Sequence, residues 1–305
     1  MRTALHALTD ELRRLKTAGV ATVTVSEESL ATLRRVVASR SAKSAPVATA
    51  TAIPVASVAG VAQSTPPPKP VVMKAPPVAL LPPPPVVTLP SGDKQVRWNA
   101  LLELVCQDST CKAHVPPGKK VVLGVGNLDA KMMFVGEAPG ADEEMQGEPF
   151  VGPAGQLLTK MILAMGLKRA DVYIGNIMNW RPEMPTVAGL PQVGNRPPTE
   201  EEMRYCLPFL RAQIDIVNPD ILVAVGGTAA QGLLGFGSFR VLGDVRGRWH
   251  EFAAKPLMVT YHPSYLLRPP VDNRKKRLVW EDLLKVMDRA GLPISDKQRS
   301  YFLDK

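Results

Sequence analysis

Apolar residues recur along this chain at two different spacings. Leu5, Leu8, Leu12 and Leu15 fall on one stripe of a helix spanning residues 3–17. A second short helix is predicted from Glu27 to Val37, with Ser26 as its N-cap. After Trp98 the pattern changes. Short apolar runs at 132–135, 172–174, 221–225 and 257–260 read as buried strands. Between and after them come helical stretches at 155–165, from Thr199 onward, at 228–234 and at 276–290. Glu200, Glu201 and Glu202 sit in the first turn after Thr199, where the positive end of the helix dipole favours acids. This alternation predicts an α/β fold, a three-layer αβα arrangement around a central four-stranded parallel sheet. A short helical segment and a disordered linker precede it.

Composition places the linker. Residues 39–92 are rich in Ala, Pro and Val, with runs such as Pro66-Pro67-Pro68 and Pro82-Pro83-Pro84-Pro85. Such runs favour extended polyproline geometry and a semi-rigid tether. The expected organisation is therefore a helical segment at 1–38, a linker at 39–92, a folded domain at 93–293 and a tail at 294–305. The segment or the linker offers a place for a protein partner.

The formal net charge of +9 is unevenly spread. Residues 1–97 hold 12 of the 37 Lys and Arg and 5 of the 28 Asp and Glu, so +7 lies there. The remaining +2 cannot make a global field over residues 98–305, and any nucleic-acid contact there must be local. No run of about 18 uncharged apolar residues and no signal peptide is apparent. Three cysteines, Cys106, Cys111 and Cys206, cannot all pair, which fits a reducing cytoplasm.

Ligands of open α/β sheets bind beyond the carboxyl ends of the strands. The residues following the four strands are Gly136-Glu137-Ala138-Pro139-Gly140-Ala141-Asp142-Glu143, then Asn176, then Gly226-Gly227-Thr228, then Tyr261-His262-Pro263-Ser264. One rim thus gathers carboxylates, an amide, a glycine turn and an imidazole. No G-x-S-x-G elbow, phosphate-binding Walker loop or H-E-x-x-H pair is present. The residues alone point to a ligand site on the sheet rim.

Seven blocks carry a resemblance. They are G-E-A-P-G-A-D-E-E from Gly136, G-E-P-F-V-G-P-A-G-Q-L-L from Gly147, V-Y-I-G-N from Val172, N-R-P-P-T-E-E-E from Asn195, V-A-V-G-G-T-A-A-Q-G-L-L-G from Val223, Y-H-P-S-Y-L-L-R from Tyr261 and V-W-E-D-L from Val279. In this order they resemble the uracil-DNA glycosylase superfamily. The branch they are most similar to is its family 4, including relatives described as phage polymerase-like. The resemblance covers residues 98–291. It implies excision of uracil from DNA by hydrolysis of the N-glycosidic bond, in base excision repair by a monomer. The alternative is a catalytically weak DNA-binding or polymerase-associated module of the same fold.

The resemblance also implies roles. Phe150 would stack on the flipped base, and Asn176 would read its edge. His262 and a backbone N–H near Ala138 would meet the charge on the departing uracil. Glu143 would be the carboxylate that orients water and faces the cationic sugar, and Glu137 would shape the uracil site. Ser264, Leu266, Leu267, Arg268 and Lys275 would grip the DNA. Family 4 members usually hold a [4Fe-4S] cluster on four cysteines. Here Cys111 and Cys206 resemble two of the ligands, with Cys106 nearby. Asp108 stands at the first ligand position and Trp180 at the third. Four thiolates normally hold such a cluster, so the ligand set is incomplete, and the chemistry is expected to need no cofactor. The chain further departs from the family by an insertion between Arg181-Pro182 and Asn195-Arg196. It lacks histidine, which predicts turnover rather than a trapped adduct.

Overall fold

The computed structural model describes residues 81–186, 191–269 and 272–303. The helices expected at 3–17 and 27–37, and most of the linker, lie outside these residues. Residues 81–90 carry neither helix nor strand, and Leu81, Val87 and Leu89 are half-buried against the domain.

In chain order, the elements begin with helices α1 (Lys94–Gln107) and α2 (Ser109–Ala113). Strands β1 (Val125–Gly126) and β2 (Met132–Gly136) come next, then helices α3 (Ala141–Gln146) and α4 (Pro153–Ala164). Strand β3 (Tyr173–Asn176), helix α5 (Glu200–Val217), strand β4 (Ile221–Val225) and helix α6 (Gly227–Leu234) follow. Strands β5 (Trp249–Phe252) and β6 (Lys255–Thr260) lead to helices α7 (Pro263–Leu266), α8 (Asn273–Arg289) and α9 (Asp296–Arg299).

The sheet has six strands in the order β1-β3-β2-β4-β6-β5. Its centre, β3-β2-β4-β6, is the predicted parallel set. All residues of β2, β3 and β4 are buried, which explains apolar runs without polar alternation. Alternate residues serve opposite layers. Met133, Val135, Leu222 and Ala224 join the cluster packed against α1, α5 and α6. Met132, Phe134, Ile221 and Val223 join the one packed against α4 and α8.

Two antiparallel edge strands, β1 and β5, complete the sheet and were not predicted. The β5–β6 hairpin turns through Ala253 and Ala254, both with positive φ (51° and 56°). A tight hairpin usually advertises itself by Asn-Gly or Asp-Gly, so alanine hid it. The acidic stretch after β2 is the short helix α3, with Asp142, Glu143 and Glu144 in its first turn. The helix expected from Thr199 is α5, and Thr199 caps it in a capping box with Glu202. The C-terminal residues pack on the domain: Trp280 Nε1 donates to Gln298 O at 2.6 Å, and Gln298 Nε2 donates to Ala164 O at 2.8 Å.

Candidate active site

The carboxyl ends of β2, β3, β4 and β6 open into a cleft of about 750 Å³. Glu137, Ala138, Glu143, Phe150, Asn176, His262, Ser264 and Arg268 all line it. The register explains the convergence, because Gly136 pairs with Asn176 across β2 and β3, and Val225 pairs with Thr260 across β4 and β6.

Asn176 forms the floor. Its side chain is buried, and among the described residues its Oδ1 meets no hydrogen-bond partner. An orphaned buried amide oxygen is costly unless a ligand satisfies it. Gly136 makes room for this arrangement. A Cβ there would collide with Asn176 Oδ1 and with Phe150 Cζ.

Phe150 is buried and lies beside His262, with ring centroids 5.6 Å apart and planes 30° from parallel. Its backbone is left-handed, with φ 55°. A bulky residue holds such a conformation only where its surroundings impose it. Glu143 is one of the constraints. Its Oε1 accepts from Val151 N at 3.0 Å and Gly152 N at 2.9 Å, while its Oε2 accepts from Gly140 N at 3.0 Å. One carboxylate thus ties the turn after β2 to the loop carrying Phe150.

His262 caps the short helix α7. Ser264 N donates to its Nδ1 at 3.2 Å, and Ser264 Oγ lies 2.8 Å from the same nitrogen. Nδ1 is therefore an acceptor, and the neutral ring carries its hydrogen on Nε2. Burial, reinforced by the charge of Arg268, pulls the pKa down to about 4. Burial pushes the Glu137 carboxyl above its usual range, against the Thr228 hydroxyl and the Arg268 charge. The end of β6 is anchored by Thr260 Oγ1, which donates to buried Asp282 at 2.7 Å, itself paired with Arg246. Asp282 was given no role from the sequence, because it acts through partners remote along the chain.

Ser264 lines the cleft but is committed to His262. Other expected residues do not line the cleft. Leu266 is buried in the core, and Leu267 is the exposed member of the pair. Lys275 lies outside the cleft with its Nζ 4.9 Å from the centre of the Tyr265 ring. The residues that flank the insertion, Pro182, Asn195 and Arg196, form part of the rim. Buried Arg181 pins it there, donating to Glu144 at 2.9 Å, to Asn195 Oδ1 at 2.8 Å and to Gly194 O at 2.7 Å.

A model of the Uracil DNA glycosylase superfamily matches residues 123–284. The chain belongs to this superfamily. It is 42% identical over 184 residues to a type-4 uracil-DNA glycosylase of Thermotoga maritima, covering 60% of this chain and 89% of that protein. It is 39% identical over 176 residues to a type-4 uracil-DNA glycosylase of Pyrobaculum aerophilum, covering 56% and 84%. It is also 26% identical over 152 residues to a DNA polymerase of Bacillus phage SP01, covering half of this chain and 15% of the polymerase.

The superfamily resemblance raised a [4Fe-4S] cluster, and the donor set here does not fit one. Cys111 and Cys206 are both buried free thiols, pushed by burial well above their usual pKa. Asp108 at the first position is already engaged, accepting from Cys111 N at 2.8 Å and from the Tyr205 hydroxyl at 2.9 Å. Trp180 at the third position is fully buried and stacks on His114, centroids 4.9 Å apart and planes 10° from parallel. Among the described residues no group of three or more His, Cys, Asp or Glu is arranged to hold a metal ion. Nor is any described helix long and apolar enough to cross a membrane.

Proposed function

We propose that this chain hydrolyses the N-glycosidic bond of uracil in DNA, releasing uracil and leaving an abasic site. The observation that carries this reading is the buried amide of Asn176 at the floor of the cleft, whose Oδ1 has no partner among the described residues. Uracil presents N3–H as a donor and O4 as an acceptor. A carboxamide pairs with both, Oδ1 accepting and Nδ2 donating. Cytosine presents the opposite order at these atoms and would oppose the amide. The base reaches this floor only when flipped out of the stack, and Phe150 supplies an apolar face for it.

The bond between C1′ and N1 breaks with its electron pair passing to the base. Negative charge builds on uracil O2, where the Nε2–H of neutral His262 and the Ala138 N–H would meet it. A neutral histidine suits this role, since it stabilises the anion by hydrogen bonding without having to lose a charge. Water adds to C1′, and the proton it gives up passes, directly or through solvent, to the departing uracil anion. Glu143 is assigned to orient that water and to face the positive sugar. Three N–H groups hold its carboxylate still, and a carboxylate has about four lone-pair sites, so one remains for water. Glu137 shapes the wall beside it. Leu267 would fill the gap left by the flipped base, while Arg268 and Lys275 would meet phosphates.

The chemistry needs no metal in this reading, and the enzyme acts as a monomer without a cluster. The free thiols suit the reducing cytoplasm. We assign a protein-partner role to the N-terminal segment or the linker.

The test is incubation with a synthetic strand containing a single uracil, followed by alkaline cleavage. Cleavage at the uracil is expected, and His262→Ala and Asn176→Ala should each abolish it. Binding without release would instead favour a DNA-binding module of the same fold, a reading to which the similarity with a phage polymerase lends weight.

A further inference from the structure

The loop carrying Phe150 is held from a second side, by a residue far from the strand ends. Arg169 lies in a single 3-10 turn, Arg169–Asp171, just before β3. Its Nη2 donates to Pro149 O at 2.6 Å. Its Nη1 donates to Thr159 Oγ1 at 3.4 Å, and that hydroxyl donates to Gly155 O at 3.0 Å. Gly155 in turn presses on Phe150 so closely that a Cβ there would overlap the Phe150 carbonyl. The guanidinium, the first two turns of α4 and the Phe150 loop therefore form one unit. Arg169 is half-buried, and its charge is opposed by that burial and favoured by Glu148 and Glu143.

We propose that Arg169 is a positioning residue for uracil recognition. Its bond to Pro149 O fixes the peptide preceding Phe150, and so helps impose the left-handed backbone that sets the ring beside His262. Glu143 fixes the two N–H groups that follow Phe150. The residue is thus clamped on both sides, by an anion on the N–H groups after it and by a cation on the carbonyl before it. Each bond involves a charged partner, which makes it stronger than a neutral one. Lysine could not reproduce the clamp, because only the planar guanidinium reaches both the carbonyl and the hydroxyl. The inference rests on the reading of Phe150 as the stacking surface.

The experiment compares single-turnover excision and inhibition by free uracil in the full chain, in Arg169→Ala, in Phe150→Ala and in the double variant. Phe150→Ala is expected to slow excision by about 100-fold, and Arg169→Ala by about tenfold with a matching loss of inhibition by uracil. In the Phe150→Ala background, Arg169→Ala should change the rate by less than about twofold, since residues acting as one unit are not additive. Arg169→Lys, which keeps the charge and can reach one of the two acceptors, should recover part of the loss, and it covers the case in which alanine unfolds the chain. An unchanged rate in Arg169→Ala, or an equal loss in both backgrounds, would overturn the proposal and leave the stacking reading standing. A silent Phe150→Ala would overturn both.

Discussion

Ser264 donates its backbone N–H to Nδ1 of His262, and its hydroxyl lies 2.8 Å from the same nitrogen. This pairing fixes the tautomer that turns Nε2–H into the available donor. With the pKa pulled down to about 4 from 6.5, the ring stays neutral through the weakly acidic range. Excision should therefore not decline through the ordinary histidine range on account of this group, but only as pH approaches about 4. Stability has a matching sign. Between about 4 and 6.5 the unfolded histidine binds more protons than the folded one, so stability falls as pH drops through that window and is unaffected by His262 above it. An NMR titration of the His262 ring and a pH–rate profile check both. Titration near 6.5 would refute the neutral-donor role.

Gly136 is required by what faces it. In Gly136→Ala the new methyl would meet Asn176 Oδ1 and the Phe150 ring at once. Displacement of recognition groups by about 1 Å can cost about 100-fold in rate. A loss of that size is expected, with a fall in stability of about 1–3 kcal/mol from overpacking. Excision kinetics and thermal melting measure the two separately.

Glu143 ties two loops together, and on the proposed reading it also orients water; its variants should separate these duties. Glu143→Ala leaves three N–H groups without their acceptor, at a cost of about 2 kcal/mol, since water can still reach part of the site. A melting temperature lower by roughly 5 °C is expected. Glu143→Gln keeps one acceptor oxygen and should recover part of the stability while excision stays impaired. If Glu143→Gln is fully active and Glu137→Gln is not, the water-orienting carboxylate is Glu137.

The family resemblance implies that Trp180 stands where a cluster ligand would be, and on that reading iron should be dispensable. The purified protein is expected to lack absorbance near 400 nm, and its melting temperature should not respond to an iron chelator, whereas a protein built on a structural metal unfolds on chelation. Trp180→Ala should cost about 3–5 kcal/mol through the cavity it opens against His114 and Tyr205. Stoichiometric iron would contradict this account.

The sequence by itself determined the central sheet and the residues at its rim. A strand buried on both faces must be apolar along its length, so Met132–Val135 and Ile221–Val225 were legible without any knowledge of their neighbours. Once the strands were placed, Glu137, Asn176 and His262 followed as the residues at their ends. Only the tertiary structure decided how these groups are held. The bond from Arg169 to Pro149, the clasp of Glu143 on Val151 and Gly152, and the anchor of Asp282 on Thr260 each join separate segments, and no periodicity or spacing signals them. The same holds for Leu266 and Leu267, adjacent and alike in the sequence, of which the turn of α7 buries one and exposes the other. Hydrophobic pattern is a local consequence of burial and can be read along the chain. Hydrogen bonding between distant polar groups depends on where the fold brings them, and appears only in three dimensions.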